Sequence, residues 1–133
     1  MTATTTIIGN ITRDPELKMS SGGKPILRLG IAVSRRQQVD GVWQDGPTSF
    51  FDTVCFGNLA ENVAASVTKG TRITATGRLE QRSYEVDGQK RSSVELIADE
   101  IGVALSRATA DVHRVSRDLA APATRPEADE EPF

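Results

Sequence analysis

The chain is poor in the residues that build metal sites, disulfides and thiol or imidazole catalysis. Its 133 residues include one cysteine, Cys55, and one histidine, His113. A lone cysteine cannot form an intrachain disulfide, and one histidine leaves a zinc site short of ligands. Because Cys55 stands in an apolar run, we expect a small core residue, while an intermolecular bridge through it stays open. We predict no metal site and no cofactor.

Long apolar runs are also lacking, so we expect no membrane span. The first residues, MTATTTIIGN, have neither the basic start nor the apolar stretch of a secretory signal, and we expect a cytoplasmic protein. A phosphate-binding loop is missing as well, since GNITRDPELK lacks the required glycines. With Cys55 and His113 as the candidates for a thiol and a base, we predict that the protein is not an enzyme.

The formal net charge of −2 is unevenly distributed. Residues 1–125 carry sixteen basic and fourteen acidic residues, whereas residues 126–133 carry four acidic residues and no basic one. The body of the chain is therefore mildly basic, and the acidity is concentrated at its end.

Alternation of apolar and polar residues is the main structural signal. PILRLGIAVS at 25–34 and TRITATGRLE at 71–80 both alternate, which is typical of a strand with one buried face. Further β-rich runs bounded by turn residues lie at 4–11, 48–56 and 92–101. The sequence therefore predicts five strands.

A helical period replaces the alternation at 57–70, with Asn58 as the predicted N-cap and Gly70 as the glycine that ends the helix. The order β-β-β-α-β-β is that of an all-β OB-fold, a five-stranded Greek-key barrel with one helix between strands three and four, although an α+β sandwich would also fit. Residues 12–24, 35–47 and 81–91 are predicted loops, the last around an Asp87-Gly88 hairpin turn.

Beyond residue 110 the composition shifts to alanine, proline, threonine and acids. We predict a folded domain at 1–110 and a disordered acidic tail at 111–133.

The few aromatic residues include two on one strand face. Phe50 and Phe56 are an even number of residues apart, so both would project from one face, with Phe51 on the other. If Phe51, Thr53 and Cys55 face the core, the outer face shows Phe50, Asp52, Val54 and Phe56 beside Arg28. Rings flanked by guanidinium groups on an open sheet would stack nucleobases and bind phosphates. Packing of both rings in the core or at a subunit interface stays the alternative.

Other residues extend this candidate surface. Trp43 and Tyr84 in the two polar loops are further candidates for stacking. The candidate phosphate-binding residues are Arg28, Arg35, Arg36, Arg72, Arg78, Arg82, Lys90 and Arg91.

Three stretches together closely resemble the bacterial single-stranded DNA-binding proteins: IIGNITRDPELK, FGNLAENVAASVTKGTRITATGRLEQRSYE, and the terminal PF after acidic residues. The resemblance covers roughly residues 4–109 and the last few residues, and the composition and loops favour the actinobacterial branch. It implies an OB-fold homotetramer that binds single-stranded DNA with little sequence preference by stacking and phosphate contacts.

At the level of residues, Phe50 sits where that family often has a stacking tryptophan, Phe56 matches a stacking phenylalanine, and Tyr84 takes the place of a third aromatic. Gln37 departs from the pattern, because some relatives have a tryptophan there. We expect that platform to be missing or replaced by Trp43.

The resemblance further implies that the acidic tip docks DNA replication and repair proteins, with solubilisation as the alternative role. The tip residues are Asp129, Glu130, Glu131, Pro132 and Phe133. The tail is short and has Glu131 where relatives often have an apolar residue, which suggests a short-tailed paralogue.

The predicted function is sequence-independent binding and protection of single-stranded DNA in replication, recombination and repair, in the nucleoid-associated cytoplasm. The alternatives are an RNA-directed OB-fold protein and an OB-fold adaptor that has lost DNA binding.

Overall fold

The structure, a computed structural model, describes residues 2–115, which form six strands and one helix. In chain order these are β1 (Ala3–Ile11), β2 (Glu16–Met19), β3 (Pro25–Val39), β4 (Val42–Phe56), α1 (Gly57–Ser66), β5 (Arg72–Val86) and β6 (Gln89–Val103).

Five of the strands close into a barrel. The sheet runs β1-β5-β6-β4-β3-β2, and β1 pairs with β3 as well as with β5, which joins the two sides. The β4–β6 pair is parallel and the other pairs are antiparallel, while β2 lies outside the ring, paired with β3. A closed five-stranded barrel with a helix between its third and fourth strands is the predicted OB-fold, which is thereby confirmed.

Closure depends on a close approach of β1 to β3. Asn10 is paired with Ala32, and the Thr12 amide donates to the Gly30 carbonyl at 2.9 Å. A methyl group at Gly9 would collide with the carbonyl oxygen of Ala32, because the two backbones are in contact at this crossing. Glycine is therefore required at position 9 by the space available.

The barrel interior is aliphatic. Its core consists of Ile7, Ile11, Leu27, Leu29, Ile31, Cys55, Ala60, Val63, Val67, Ile73, Ala75, Leu96 and Ala98. Cys55 is fully buried, as expected, and burial raises the pKa of its thiol to about 11. At neutral pH the thiol is thus protonated and shielded, so the core role is the one that the structure supports.

The predicted loops were wrong in extent. Residues 12–24 contain β2, and the chain at 35–47 and 81–91 continues as the arms of two long hairpins, β3–β4 and β5–β6. Asp40-Gly41 turns the first hairpin with positive φ at both residues, as Asp87-Gly88 turns the second, where the turn was predicted. The arms extend into solvent, so both of their faces are exposed and the alternation that reveals a strand is absent.

The helix boundaries also differ from the prediction. Helix α1 begins at Gly57, its N-cap is Phe56 with no side-chain hydrogen bond, and Asn58 lies inside the first turn. The helix ends at Ser66, before the predicted stop at Gly70. Gly70 instead takes a φ of 93° in the following turn and donates its amide to the Ile11 carbonyl. The positive φ in this turn, rather than a helix cap, explains this glycine.

After β6, residues 104–115 have no regular secondary structure and are almost all exposed, so the domain end predicted at residue 110 falls within this segment. Most of the predicted tail, including its acidic tip, lies outside the described residues. None of the helices in residues 2–115 is long and apolar enough to cross a membrane.

Replacing Thr53 with valine should stabilise the protein. The Thr53 hydroxyl is buried with no hydrogen-bond partner among the described residues, and only 2% of the residue is exposed. Removing an unsatisfied hydroxyl while keeping the side-chain shape should raise the free energy of unfolding by about 1 kcal/mol, measured by chemical denaturation at fixed protein concentration. Thr76→Val is the matched control, because its hydroxyl is bonded to that of Thr6 at 2.8 Å. A loss of stability in Thr53→Val larger than in the control would contradict this assignment.

Candidate nucleic-acid interface

The two rings of strand β4 project from the barrel on the same face, as predicted. Phe50 is 72% exposed and Phe56 is 40% exposed. Phe51 points the other way and packs against the core, in line with the buried Thr53 and Cys55. The alternative in which Phe50 and Phe56 are sealed inside the barrel is therefore wrong.

Val54, between the two rings, does not belong to the exposed face. It was predicted to be outward and exposed, but only 2% of it is accessible. Its register neighbours are Arg28 on β3 and Ile97 on β6, and Ile97 is buried beside it. An aliphatic neighbour on the same face thus covers Val54, which no pattern within β4 could indicate.

A cation that was not predicted from the sequence lies over the ring of Phe56. The Lys24 ammonium lies 5.8 Å from the centre of the Phe56 ring, within the range of a cation–π contact. Ile26, two residues after Lys24, is the register partner of Phe56. The alternation of β3, followed back from Arg28 through Ile26, would have placed Lys24 on this face.

Next to this contact runs a polar groove of about 390 Å³, lined by Arg13, Asp14, Glu16, Lys18, Ile26 and Arg28. Of its basic residues, only Arg28 was predicted to bind phosphate. Arg13 and Lys18 were not predicted, because the sequence gives no signal for β2. Strand β2 and the segment before it bring these two residues alongside β3.

The other two aromatic candidates stand on the hairpin arms. Tyr84 is 46% exposed on β5 and is directly paired with Arg91 on β6, so the ring and the guanidinium group share a face. Lys90 is paired with Glu85 one position along, and therefore lies on the opposite face from Tyr84. Among the hairpin cations, Arg91 is thus better placed than Lys90.

Trp43 is 59% exposed on β4, where Gln38 is its partner. Gln37, which stands where the family resemblance would place a tryptophan, is paired with Gln44. It therefore faces the other side of the arm. Trp43 is available to a ligand, but it does not occupy the face on which Gln37 lies.

Three of the predicted arginines are paired with acids on the barrel. Arg28 Nη1 lies 3.4 Å from Glu95 Oε2, and Arg82 Nη1 lies 4.0 Å from Glu95 Oε1. Arg78 donates from Nε to Glu80 at 2.8 Å, and this hydrogen bond raises the pKa of the Arg78 guanidinium. The sequence reading did not include Glu80 or Glu95 in the site.

A second basic cluster lies across the barrel seam. Arg36, Arg72 and Arg107 line a cavity of about 170 Å³ together with Asp45, the register partner of Arg36. The Nε donor of Arg72 is buried and has no hydrogen-bond partner among the described residues. An unsatisfied guanidinium donor suits an anion. Because Arg107 lines the same cavity as Arg72, it joins the candidates for phosphate binding. Arg35 is exposed on the same arm but does not line this cavity.

The interface as a whole is a barrel exterior with exposed rings, nearby cations and a groove. Within residues 2–115, no group of three or more His, Cys, Asp or Glu side chains is arranged to hold a metal ion. The arrangement can stack planar groups and bind anions.

Comparison with known proteins agrees with this geometry. The model of the single-strand binding protein family matches residues 2–104, which is most of the chain. The chain belongs to the single-strand binding protein family. The sequence resemblance is thereby confirmed.

Relatives at 44–45% identity come from actinobacteria. The single-stranded DNA-binding protein of Mycobacterium leprae is 44% identical over 117 residues, covering 86% of this chain and 70% of that protein. That of Paenarthrobacter nicotinovorans is 45% identical over 117 residues, covering 86% of this chain and 69% of that protein.

Solved structures of the family share the fold. The small single-stranded DNA-binding protein from Streptomyces coelicolor superposes with a TM-score of 0.73 at 30% identity, over 81% of this chain and 99% of that one. A Plasmodium falciparum SSB complex with single-stranded DNA gives a TM-score of 0.68 at 17% identity, over 78% of this chain and 96% of that one, which shows the fold alone.

Proposed function

We propose that this member of the single-strand binding protein family binds and protects single-stranded DNA without strong sequence preference. The observation that carries the proposal is the pair of rings, Phe50 and Phe56, exposed on one barrel face with Lys24 and Arg28 beside them. Every nucleobase has a planar face, so stacking on exposed rings tolerates any sequence. The cations bind the phosphates that connect the stacked bases.

Unpaired bases are required by this mode of binding. In duplex DNA the planar faces are stacked on each other and are not available to a protein ring. The strand is held and shielded while no bond is formed or broken, so the protein acts as a binding protein rather than an enzyme. Binding to DNA implies a cytoplasmic, nucleoid-associated location, and supports roles in replication, recombination and repair.

Phosphate binding, in this proposal, is shared among several basic groups around the barrel. Arg91 beside Tyr84, Arg28 beside Phe56, and Arg36 and Arg72 at the seam cavity all border exposed surface. Arg35, Arg78, Arg82 and Lys90 complete the predicted set, and Arg13, Lys18, Lys24 and Arg107 extend it. Trp43 at the end of the β3–β4 arm serves as an additional ring.

Single alanine substitutions of Phe50, Phe56 and Tyr84 should each weaken binding to labelled oligo-dT. Loss of one stacked base costs about 1–3 kcal/mol, and anisotropy titration measures it. Affinity should fall with salt, with a slope of about −0.7 per phosphate contacted. Val112→Ala is the matched control, because Val112 is an exposed apolar residue beyond β6.

Competition with duplex DNA and with oligo-rU separates the alternatives. Equal affinity for duplex would reject stacking, preference for RNA would support an RNA-directed protein, and no binding to any oligonucleotide would support an adaptor. An effect of Val112→Ala as large as that of Phe50→Ala would contradict the assignment of the rings.

We further propose that four chains form a homotetramer that presents a continuous DNA path, as the family resemblance implies. Sedimentation equilibrium of the purified protein should then give four times the mass of one chain. A mass that corresponds to one or two chains at micromolar concentration would contradict this assembly.

The acidic tip, Asp129 to Phe133, is proposed to dock DNA replication and repair proteins, with Phe133 inserted in an apolar pocket and the acids directing the approach. A chain of about twenty residues with random-coil statistics spans roughly 25 Å. The tip would then also compete weakly with DNA on its own tetramer.

Removal of residues 127–133 should therefore tighten binding to oligo-dT at low salt by about two- to threefold, and the gain should vanish at high salt as charges are screened. Neutralising Asp129, Glu130 and Glu131 should reproduce the gain, whereas removing only Pro132 and Phe133 should leave DNA affinity unchanged. An unchanged or weaker isotherm after truncation would rule out competition by the tip.

A further inference from the structure

Three carboxylates stand in one row across the proposed DNA-binding face. Asp52 on β4 is the register partner of Glu95 on β6, and Glu95 is the register partner of Glu80 on β5. Residues directly opposite in neighbouring strands project from the same face of a sheet. Asp52, Glu95 and Glu80, which we call the carboxylate row, thus cross the outer face of three adjacent strands.

The row lies between the proposed stacking groups. On β4, Asp52 follows Phe50 by two residues on the same face and precedes Phe56 by four. On β5, Glu80 precedes Tyr84 by four residues on the same face. The row therefore separates Phe56 from Phe50 and Tyr84, and a DNA strand that runs from Phe56 to Tyr84 must pass over these acids.

Two members of the carboxylate row already hold arginines that were predicted to bind phosphate. Glu95 contacts both Arg28 and Arg82, and Glu80 accepts a 2.8 Å hydrogen bond from Arg78. The Glu95 side chain is only 16% exposed, while those of Arg28 and Arg82 are 56% and 60% exposed. The carboxylate is thus largely covered, whereas the guanidinium groups around it are accessible to a ligand.

We propose that the carboxylate row competes with DNA phosphates for Arg28, Arg78 and Arg82, and thereby lowers the affinity and the salt dependence of single-strand binding. The inference rests on the proposed function, since it concerns the same face. A phosphate can engage these arginines only by sharing or replacing their carboxylate partners. Each arginine that keeps its carboxylate partner makes one phosphate contact fewer. Fewer counterions are then released when DNA binds, so the salt dependence is weaker.

The physical consequence is a surface that binds through its rings more than through its charges. Stacking is insensitive to salt, whereas phosphate contacts weaken as salt rises. Like-charge repulsion between the carboxylate row and the DNA backbone acts in the same direction as the competition. The protein should therefore release and rebind strands more readily than one with unpaired arginines at these positions.

Glu80→Gln and Glu95→Gln test the inference in the full-length protein, by anisotropy titration of labelled oligo-dT at several salt concentrations. Each should tighten binding at low salt by about three- to tenfold. The salt slope should steepen by about 0.7 for Glu80→Gln, which removes the charge that competes for one arginine, and by up to about 1.4 for Glu95→Gln, which removes the charge that competes for two. The glutamine oxygen still accepts a hydrogen bond, so the arginines keep a partner and the fold is preserved.

Two matched variants separate competition from a change in net charge. Glu100→Gln makes the same chemical change on β6, but Glu100 lines a groove beside α1, away from the carboxylate row. Its affinity should stay within about twofold of the unsubstituted protein, with the same slope. Asp52→Asn removes a charge from the row at a residue that forms no salt bridge with an arginine among the described residues, so it should tighten binding at low salt and steepen the slope by less than Glu80→Gln does.

Weaker binding in Glu95→Gln or Glu80→Gln would overturn the inference, because the carboxylates would then position the arginines for DNA. The same changes in Glu100→Gln as in Glu95→Gln would also overturn it. Failure of the unsubstituted protein to bind oligo-dT would instead reject the proposed function. The two failures are thus distinguishable.

Discussion

The pairing of β1 with both β5 and β3 is the constraint on which the interface depends. It closes the sheet, and closure decides which side of each strand is core and which is solvent. The crossing brings backbones into contact at Gly9, where a side chain has no room. Once the ring is closed, alternation along β4 commits Phe51, Thr53 and Cys55 to the interior and leaves Phe50 and Phe56 outside. Two aromatic rings in solvent are a consequence of that geometry.

Charge on the outer face is balanced rather than uniformly basic. Lys24 stands over Phe56 and Arg91 beside Tyr84, but Glu95 and Glu80 occupy the space between these ring sites and hold arginines of their own. If the face binds DNA as proposed, it gains its affinity from planar contacts and moderates the attraction of phosphates. That combination suits a protein whose ligand must later be handed to other proteins or paired again.

The elements that could be predicted were those in which one face is buried, because burial imposes an apolar period. The alternating parts of β3 and β5, the exposed pair Phe50 and Phe56, and the Asp87-Gly88 turn were all evident. The arms around Asp40-Gly41 were not, since both faces of an arm are in solvent and its sequence reads as a loop. The short strand β2 lacked a signal for the same reason, as none of its residues is buried.

The sequence by itself determined the period of each strand, the position of tight turns, and the identity of the rings that face outward, because these depend on neighbours within a few residues. The tertiary structure decided what stands beside those rings. Arg28 and Glu95 are 67 residues apart in the chain and 3.4 Å apart in space, and Val54 is covered by Ile97 from another strand. Such contacts arise from register between strands that are distant in sequence, and no local pattern encodes that register.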